Sequence, residues 1–240
     1  MRIHFLIHES FEAPGAYLDW ALENGHQVSK TEVYHHEKVP TDSGIADMLI
    51  VMGGPQSPKT TLEECDYFDA QAEMVLIKAF ADKNKPVVGV CLGAQLMGEA
   101  YGADVERSPQ KEIGSFDIHL TDAGRENPHL SGFPETATVG HWHGDMPGLS
   151  ENAKILAYSE GCPRQIVQYG PYQYGFQCHL EFSKDLVEGL IESEDNLDEA
   201  AAASDYIHTA QEIRDTDYDE MNVLLKDFLN KLTAHVTGKV

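Results

Sequence analysis

The sequence predicts an α/β protein with a doubly wound, mostly parallel sheet and a C-terminal helical extension. Two observations lead to this class. The near-continuous apolar runs 46–52 and 87–90 are typical of strands buried on both faces of a parallel sheet. Segments with helical periodicity separate such runs, and strands that alternate with helices form doubly wound sheets. Functional loops then collect at the carboxyl ends of the strands.

The first hundred residues provide the predicted parallel part of the sheet. Helix 66–81 carries apolar residues at a helical spacing, and helix 92–101 follows strand 87–90 directly. In chain order the predicted elements are strand 2–8, helix 14–24, strand 27–35, strand 46–52, helix 66–81, strand 87–90 and helix 92–101.

The pattern changes beyond residue 102, where turns separate short apolar segments. The predicted strands in this part are 104–106, 113–119, 137–139, 154–158, 165–169 and 174–178. A meander of this kind commonly adds antiparallel strands and one wall of an active site.

The residues after Ser183 are acidic, with predicted helices at 185–194, 197–215 and 218–235. We assign 1–185 to one domain and 186–240 to a helical extension. One apolar stripe runs along the last helix, formed by Met221, Leu224, Leu225, Phe228 and Leu232. Such a stripe can bind a partner, but it more often packs on its own domain, and we predict packing.

Composition excludes some classes of function. The formal net charge of −23 argues against nucleic-acid binding, which needs a basic surface. No apolar stretch is long enough to span a membrane, and the N-terminus enters a strand rather than a signal peptide. We therefore expect a cytoplasmic protein without membrane contact. The four cysteines form no Cys-X-X-Cys motif.

Histidine is frequent, with 12 residues, but metal binding is not expected. Only His35-His36 and His141-X-His143 are close in sequence, and neither has a third ligand at a known spacing. Structural or substrate-contact roles are the preferred interpretation. We expect neither a metal nor an organic cofactor.

The sequence around Cys91 has the form of a strand-to-helix corner. The apolar strand 87–90 ends at Cys91, and the small residues Gly93 and Ala94 follow at the start of the helix. At such a corner the side chain points out of the sheet, and the helix N-terminal amides behind it stabilise a thiolate or an oxyanion. Cys91 is therefore the candidate nucleophile.

A candidate base and its partner follow later in the chain. His179 and Glu181 come at the end of the predicted strand 174–178 and are two residues apart, so they project to the same side of an extended chain. One can take the thiol proton while the other orients the imidazole ring.

Four segments carry a family resemblance. Gly-Val-Cys-Leu-Gly-Ala-Gln at 89–95 resembles the nucleophile elbow of class I glutamine amidotransferases, Gly-(Val/Ile)-Cys-(Leu/Tyr)-Gly-His-Gln. Tyr-Gly-Phe-Gln-Cys-His-Leu-Glu at 174–181 resembles their closing motif, Gly-X-Gln-Phe-His-Pro-Glu. Met-Gly-Gly-Pro at 52–55 is similar to their oxyanion loop, and His-Trp-His-Gly-Asp at 141–145 is similar to a segment that helps bind glutamine. The family order is kept over about residues 1–185, which implies the flavodoxin-like fold of that family.

The resemblance implies roles for individual residues. The implied catalytic triad is Cys91, His179 and Glu181. The implied oxyanion donors are the backbone N–H groups of Gly54 and Leu92. The implied substrate contacts are Gly53, Gln95, His143, Gly144 and Asp145.

The chain departs from the family motifs at three positions. Ala94 replaces the usual His, Cys178 replaces Phe and Leu180 replaces Pro. The His normally found at position 94 is not a member of the triad, so the triad itself stays complete. Its loss bears on how glutamine is positioned and on how activity is coupled to a partner.

The chemistry that these motifs imply is hydrolysis of the side-chain amide of glutamine, or of a γ-glutamyl amide, through a γ-glutamyl thioester. Three interpretations stay open: an amidotransferase that delivers ammonia to a separate synthetase, a stand-alone enzyme that cleaves γ-glutamyl peptides or small amides, and a non-catalytic binding module. The retained triad argues against the third. No ATP-binding signature occurs in the sequence, so any synthetase would be another chain.

Overall fold

A nine-stranded sheet forms the centre of the protein in the computed structural model. The structure describes residues 1–238, and for residues 236 and 237 it describes the backbone only. The strands are β1 (Arg2–Ile7), β2 (Gln27–Glu32), β3 (Met48–Val51), β4 (Val87–Val90), β5 (Glu106–Leu120), β6 (Thr136–Met146), β7 (Lys154–Tyr158), β8 (Ile166–Gly170) and β9 (Gln173–Phe176). The helices are α1 (Ala16–Glu23), α2 (Ala70–Ala81), α3 (Leu92–Ala100), α4 (Asp122–Arg125), α5 (Lys184–Ser193), α6 (Leu197–Ala203), α7 (Ala210–Asp215) and α8 (Asp219–Thr237).

The spatial order of the strands is β2-β1-β3-β4-β9-β8-β7-β5-β6. The pairs β2-β1, β1-β3, β3-β4 and β4-β9 are parallel, and the remaining pairs are antiparallel. The sheet is therefore parallel from β2 to β9 and antiparallel from β9 to β6. This arrangement places β4, which leads to Cys91, directly beside β9, which leads to His179.

Apolar side chains cover both faces of the parallel half, as a doubly wound sheet requires. On one face, side chains such as Phe5, Ile50 and Phe176 belong to a core that includes residues of α1 and α8. On the other face, Leu6, Leu49 and Val51 pack with residues of α2 and α3. Successive strand residues thus alternate between two cores. The predicted fold class, including the C-terminal helices, is confirmed.

The last helix packs on the sheet domain. Four residues of the predicted stripe are at most 2% exposed, namely Met221, Leu225, Phe228 and Leu232, whereas Leu224 is only partly buried. The indole N–H of Trp20 in α1 donates to the side-chain oxygen of Asn230 at 2.8 Å. The division into a domain 1–185 and an extension 186–240 stays a prediction.

Several predicted boundaries were wrong, each for a local reason. Helix 66–81 begins at Ala70, because the Asp69 carboxylate accepts the Ala72 N–H and caps it there. Helix 197–215 is two helices, because the segment between them pairs with β5 through hydrogen bonds from Ile113 N–H to Tyr206 O and from His208 N–H to Ile113 O.

The meander also differs from the prediction. The strands predicted at 104–106 and 113–119 correspond to one long strand, β5, which begins at Glu106, and the strand predicted at 137–139 extends to Met146 as β6. Strand 27–35 ends at Glu32, and strand 174–178 ends at Phe176. No helix in the described residues 1–238 is both long and apolar enough to cross a bilayer.

Candidate active site

Cys91 occupies a tight corner between β4 and α3. Its φ of 48° lies in the left-handed region that an L side chain rarely adopts, and it is the residue that precedes the first turn of α3. A Cβ at Gly93 would lie 2.1 Å from the carbonyl oxygen of Val51, so only glycine lets α3 approach the sheet this closely. The corner therefore holds the thiol at the carboxyl end of β4, beside unpaired helix N-terminal amides.

The backbone of His179 is held by β6, the last strand in the sheet order, rather than by β9. Beyond the end of β9, the backbone of His179 exchanges two hydrogen bonds with Gly140 of β6, at 2.9 and 2.7 Å. The ring of Phe182 stacks on the imidazole with the centroids 4.5 Å apart. A Cβ at Gly140 would lie 2.4 Å from the Phe182 ring, so glycine is needed at that position.

The predicted contact between His179 and Glu181 is present. Nδ1 of His179 lies 2.7 Å from Oε1 of Glu181, and both side chains are buried. Burial by itself lowers the pKa of His179, but the Glu181 carboxylate and the nearby Cys91 outweigh it, so the pKa is raised well above its ordinary value. The Glu181 carboxylate therefore makes the imidazole a stronger proton acceptor.

Two helices hold the backbone around Glu181. The N–H of Ala16 donates to the Glu181 carbonyl at 3.2 Å, and a Cβ at Gly15 would lie 2.2 Å from that oxygen. The side-chain amide of Asn222 in α8 donates to the carbonyl oxygens of Leu180 and Phe182, at 2.8 and 3.1 Å. The C-terminal helix thus helps to position the Glu181 segment.

The thiol and the imidazole are both available for proton exchange. Sγ of Cys91 lies 3.7 Å from the carbonyl oxygen of Trp142, a weak contact for a thiol. Nε2 of His179 is buried and has no hydrogen-bond partner in the described part of the chain. A buried ring nitrogen without a partner is costly unless a reacting group uses it.

The glycine loop after β3 lies against this corner. A Cβ at Gly53 would lie 3.5 Å from the Cβ of Cys91, and one at Gly54 would lie 2.8 Å from Cδ2 of Leu92. Nδ1 of His8 lies 2.8 Å from the Gly53 carbonyl oxygen, and Nε2 of the same ring lies 2.8 Å from Oε2 of Glu73.

The His8–Glu73 pair fixes the orientation of this loop. Both side chains are fully buried. Burial lowers the pKa of His8, but Glu73 outweighs this effect and the pKa is raised. Both ring nitrogens face acceptor oxygens, so both donate. The carbonyl and the next N–H of a trans peptide point in opposite directions, so the Gly54 N–H is turned away from His8.

A pocket of about 280 Å³ opens above Cys91. Of the predicted residues, those that line it are Gly54, Cys91, Gln95, His143, Gly144 and Asp145. Leu92, His179 and Glu181 are buried behind the surface, and Gly53 lies against the Cβ of Cys91. Gln95 donates to the side-chain oxygen of Gln177 at 3.1 Å, which links α3 to the segment that carries His179.

Two ion pairs frame the mouth of the pocket. Arg107 lies 3.0 Å from Asp145, and Lys111 lies 2.6 Å from Glu194. Glu194 directly follows α5, so a residue from beyond position 185 contributes to the pocket wall. Both signs of charge are therefore present at the mouth of the pocket.

Sequence reasoning missed several residues of this site. Glu12 lines the pocket, and burial raises the pKa of its carboxyl group, with His179 and Glu181 among the nearby charges. Arg107, Lys111 and Glu194 have no local motif and become neighbours only in the fold. The position of His8 could have indicated a role in the site, since it follows the last residue of β1 at the carboxyl edge of the sheet.

Comparison with known proteins agrees with this geometry. Residues 20–190 match the family model described as glutamine amidotransferase class-I. The glutamine amidotransferase-like protein YfeJ of Salmonella typhimurium is 52% identical over 236 residues, which cover 98% of this chain and 99% of that protein. One of the subunits of the glutamine-hydrolysing GMP synthase of Methanococcus maripaludis is 31% identical over 149 residues, which cover 61% of this chain and 70% of that protein.

Solved structures show the same fold. The crystal structure of SMU.1228c superimposes with a TM-score of 0.96 at 57% identity and covers 97% of this chain and 100% of that one. A glutamine amidotransferase from Thermotoga maritima has a TM-score of 0.84 at 23% identity and covers 97% of each chain. The match over residues 20–190 and the full-length relative lead to one conclusion: the chain belongs to the class I glutamine amidotransferase family.

Proposed function

We propose that this protein hydrolyses the side-chain amide of glutamine, or a closely related γ-glutamyl amide, with Cys91 as the nucleophile. The observation that carries the proposal is the 2.7 Å contact between His179 and Glu181 next to a thiol held at a strained strand-to-helix corner. A buried, oriented imidazole beside a cysteine at a helix N-terminus is the arrangement that nucleophilic amide hydrolysis needs.

The reaction proceeds in two stages. The thiol proton of Cys91 passes to Nε2 of His179, and the thiolate attacks the amide carbonyl carbon of the substrate. His179 then gives its proton to the departing nitrogen, so ammonia or an amine leaves and a γ-glutamyl thioester stays on Cys91. In the second stage His179 takes a proton from water as the water oxygen attacks the thioester carbonyl. The C–S bond then breaks, glutamate leaves, and the proton returns from His179 to the Cys91 sulfur.

The oxyanion of each tetrahedral intermediate is stabilised by the N–H groups of Gly54 and Leu92. Two features support this role. The His8–Gly53 hydrogen bond turns the Gly54 N–H away from His8, and Leu92 is the first residue of α3, whose N–H has no intrahelical acceptor. His8 and Glu73 act here as positioning residues.

Substrate contacts follow from the pocket lining. Gln95, His143, Gly144 and Asp145 line the pocket and are the proposed substrate contacts, whereas Gly53 lies against the Cβ of Cys91 and does not line the pocket. A volume of about 280 Å³ suits a ligand of amino-acid size, and the Arg107–Asp145 pair offers partners for both an α-carboxylate and an α-ammonium group. The reaction uses no cofactor in this scheme.

Two uses of the reaction remain candidates. The GMP synthase relative from Methanococcus and anthranilate synthase component 2 are both named as parts of synthases, which supports delivery of ammonia to a separate synthetase chain. A pocket whose wall includes Glu194 of the same chain supports a stand-alone hydrolase of γ-glutamyl amides or peptides. The four cysteines are unpaired, which supports a reducing compartment such as the cytoplasm.

An assay of ammonia and glutamate release by the purified full chain tests the proposal. Glutamine and a panel of γ-glutamyl amides are compared, with Cys91→Ala as the inactive control. Turnover of glutamine that rises when a synthetase is added supports ammonia delivery to a separate chain. Efficient turnover of γ-glutamyl amides alone supports a stand-alone hydrolase. If the folded protein releases no ammonia, amine or glutamate from any of these substrates, the proposal is wrong and the protein is a non-catalytic binding module.

A further inference from the structure

Three buried side chains meet behind the pocket wall that β6 forms. Glu112 comes from β5, while His141 and His143 come from β6 and, being two residues apart, lie on the same face of that strand. One nitrogen or oxygen atom from each residue lies within 4.8 Å of the other two. Oε2 of Glu112 lies 3.6 Å from Nδ1 of His141 and 3.3 Å from Nε2 of His143.

The hydrogen bonding of His141 leaves a bare nitrogen facing the carboxylate. Its Nε2 lies 3.3 Å from the carbonyl oxygen of Phe116, which only accepts, so Nε2 carries the ring hydrogen. With the ring hydrogen on Nε2, Nδ1 is the nitrogen that faces the carboxylate, and it has no hydrogen-bond partner within residues 1–238. Two electron-rich atoms this close repel each other in a buried site unless a cation lies between them.

The two distances from the Glu112 oxygen, 3.6 and 3.3 Å, are those of ligands around one small ion. Zinc–nitrogen and zinc–oxygen bonds of about 2.0–2.2 Å place neighbouring tetrahedral ligands roughly 3.3–3.6 Å apart. The Phe116 carbonyl that accepts from His141 is the usual outer support of a metal-bound histidine. We propose that Glu112, His141 and His143 bind a divalent transition-metal ion of the Zn²⁺ type.

Gln165 lies beside this site and donates to its carboxylate. Its amide nitrogen lies 2.7 Å from Oε2 of Glu112 and 3.2 Å from Nε2 of His143, while its Oε1 is buried without a partner in the described structure. The Ser159 hydroxyl, which lies 2.8 and 2.9 Å from the two carboxylate oxygens of Glu112, orients the carboxylate.

The position of the site suggests what the ion does. A second cavity of about 570 Å³ is lined by Glu112 and Ser159 and shares no lining residue with the catalytic pocket. His143 lines the catalytic pocket, and Trp142, whose carbonyl contacts the Cys91 thiol, lies between the two histidines. The ion joins β5 to β6 next to the register shift between Arg107 and Glu112 and so fixes this wall. Its binding does not depend on the proposed hydrolysis.

Metal binding is measured first without reference to activity. The full chain is stripped with a chelator and titrated with Zn²⁺, with the bound zinc counted by mass spectrometry. One equivalent is expected for the wild type, and at least about 100-fold weaker binding for Glu112→Gln and His141→Asn. The control is His35→Asn, in the other close histidine pair, whose side chain is 62% exposed. Equal zinc affinity of the wild type and His141→Asn would overturn the proposal.

A second variant tests whether a metal ion, rather than a proton or a water molecule, lies between Glu112 and His141. Gln165→Glu adds a carboxylate beside Glu112, so the metal-free variant should melt below the wild type, because like charges lie close together in a buried site. Zn²⁺ should then raise the Tm of the variant more than it raises that of the wild type. An anomalous-scattering peak at the zinc edge between Glu112 and His141 is the matching crystallographic result. A Gln165→Glu protein whose Tm ignores Zn²⁺ contradicts the site.

Discussion

His8 Nδ1 lies 2.8 Å from the carbonyl oxygen of Gly53, and this contact connects the end of β1 to the glycine loop beside the nucleophile. The other ring nitrogen is held by Glu73 of α2. A ring that donates in two directions is rigid, so the peptide between Gly53 and Gly54 is held in one orientation. An oxyanion site works only when its donors are fixed before the reaction.

The first prediction follows from this contact. His8→Gln should lower kcat for amide hydrolysis by about 10- to 100-fold with little change in KM, because the oxyanion forms only in the transition state. Steady-state kinetics on glutamine or the preferred amide measures both parameters. The matched control is His4→Gln on the same strand, since His4 contacts Ser29 and Thr31 of β2 instead. An equal loss in both variants would assign the effect to strand packing.

Cys91 should be the thiol that alkylating reagents modify first near neutral pH. It lines the pocket at a helix N-terminus, whereas Cys162 and Cys178 have no exposed surface and burial raises the pKa of both thiols. Mass spectrometry after brief iodoacetamide treatment identifies the modified peptide. Cys65 is half-buried and is the competitor, so Cys65→Ser should keep the fast phase and Cys91→Ser should lose it. Faster labelling of Cys65 would count against an activated Cys91.

His179→Ala should lower kcat by about 10²- to 10⁴-fold, because the imidazole transfers protons in both stages. Glu181→Gln should cost less, since an amide still occupies the position that orients the ring but no longer stabilises the imidazolium. Glu188→Gln is the control, because this carboxylate is half-exposed and pairs with Arg214 away from the pocket. Unchanged turnover in His179→Ala would remove the triad from the mechanism.

The C-terminal helix should be essential for stability. Phe228 is fully buried, with its ring 5.1 and 5.0 Å from those of Tyr174 and Phe176, so Phe228→Ala should lower the free energy of unfolding by about 3–5 kcal/mol. Val223 on the same helix is 64% exposed, and Val223→Ala should change it by less than about 0.5 kcal/mol. Urea unfolding compares the two. Truncation after Asn196 should cause aggregation or a clear fall in Tm, and an unchanged Tm would contradict the packing.

Stability should also fall in mild acid through His129. Burial, and then the nearby His235, lower the pKa of His129 to about 4, below the unfolded value of 6.5. The unfolded chain therefore binds more protons between these values. Neutral His129 makes its full contribution to the free energy of unfolding above pH 6.5. This contribution, roughly 3 kcal/mol in all, is lost as the pH falls toward 4. Urea midpoints from pH 7 to 4 test this, and His129→Gln should flatten the profile. Parallel profiles would show that other groups carry the pH dependence.

Local sequence was enough to predict the parallel core and the three residues of the proposed triad. Apolar runs mark β3 and β4 because both faces of these strands are buried. The corner at Cys91 could be read from its neighbours, since only glycine at position 93 lets the helix approach the sheet. The pairing of His179 with Glu181 could be predicted because the two residues are close in sequence.

Other features depend on contacts between distant segments. The break between α6 and α7 results from hydrogen bonds between the intervening segment and Ile113 of β5. The length of β5 and β6 results from their pairing with each other. In both cases the partners are far apart in sequence, so a short stretch of sequence does not contain the cause. The roles of His8, Glu12 and Glu194 at the pocket are hidden for the same reason. No local pattern links Glu112 with the two histidines of β6 either.

The sequence alone determined which residues can be a nucleophile, a base and its partner, because those properties belong to side-chain chemistry and to spacing of a few residues. The tertiary structure alone decided how they meet, because β4 and β9 become neighbours only when the sheet assembles. It also decided what holds them, from the clamp of α1 and α8 around Glu181 to the buried His8–Glu73 pair. Hydrogen bonds and close packing between distant segments have no trace in local periodicity, so they enter only with the fold.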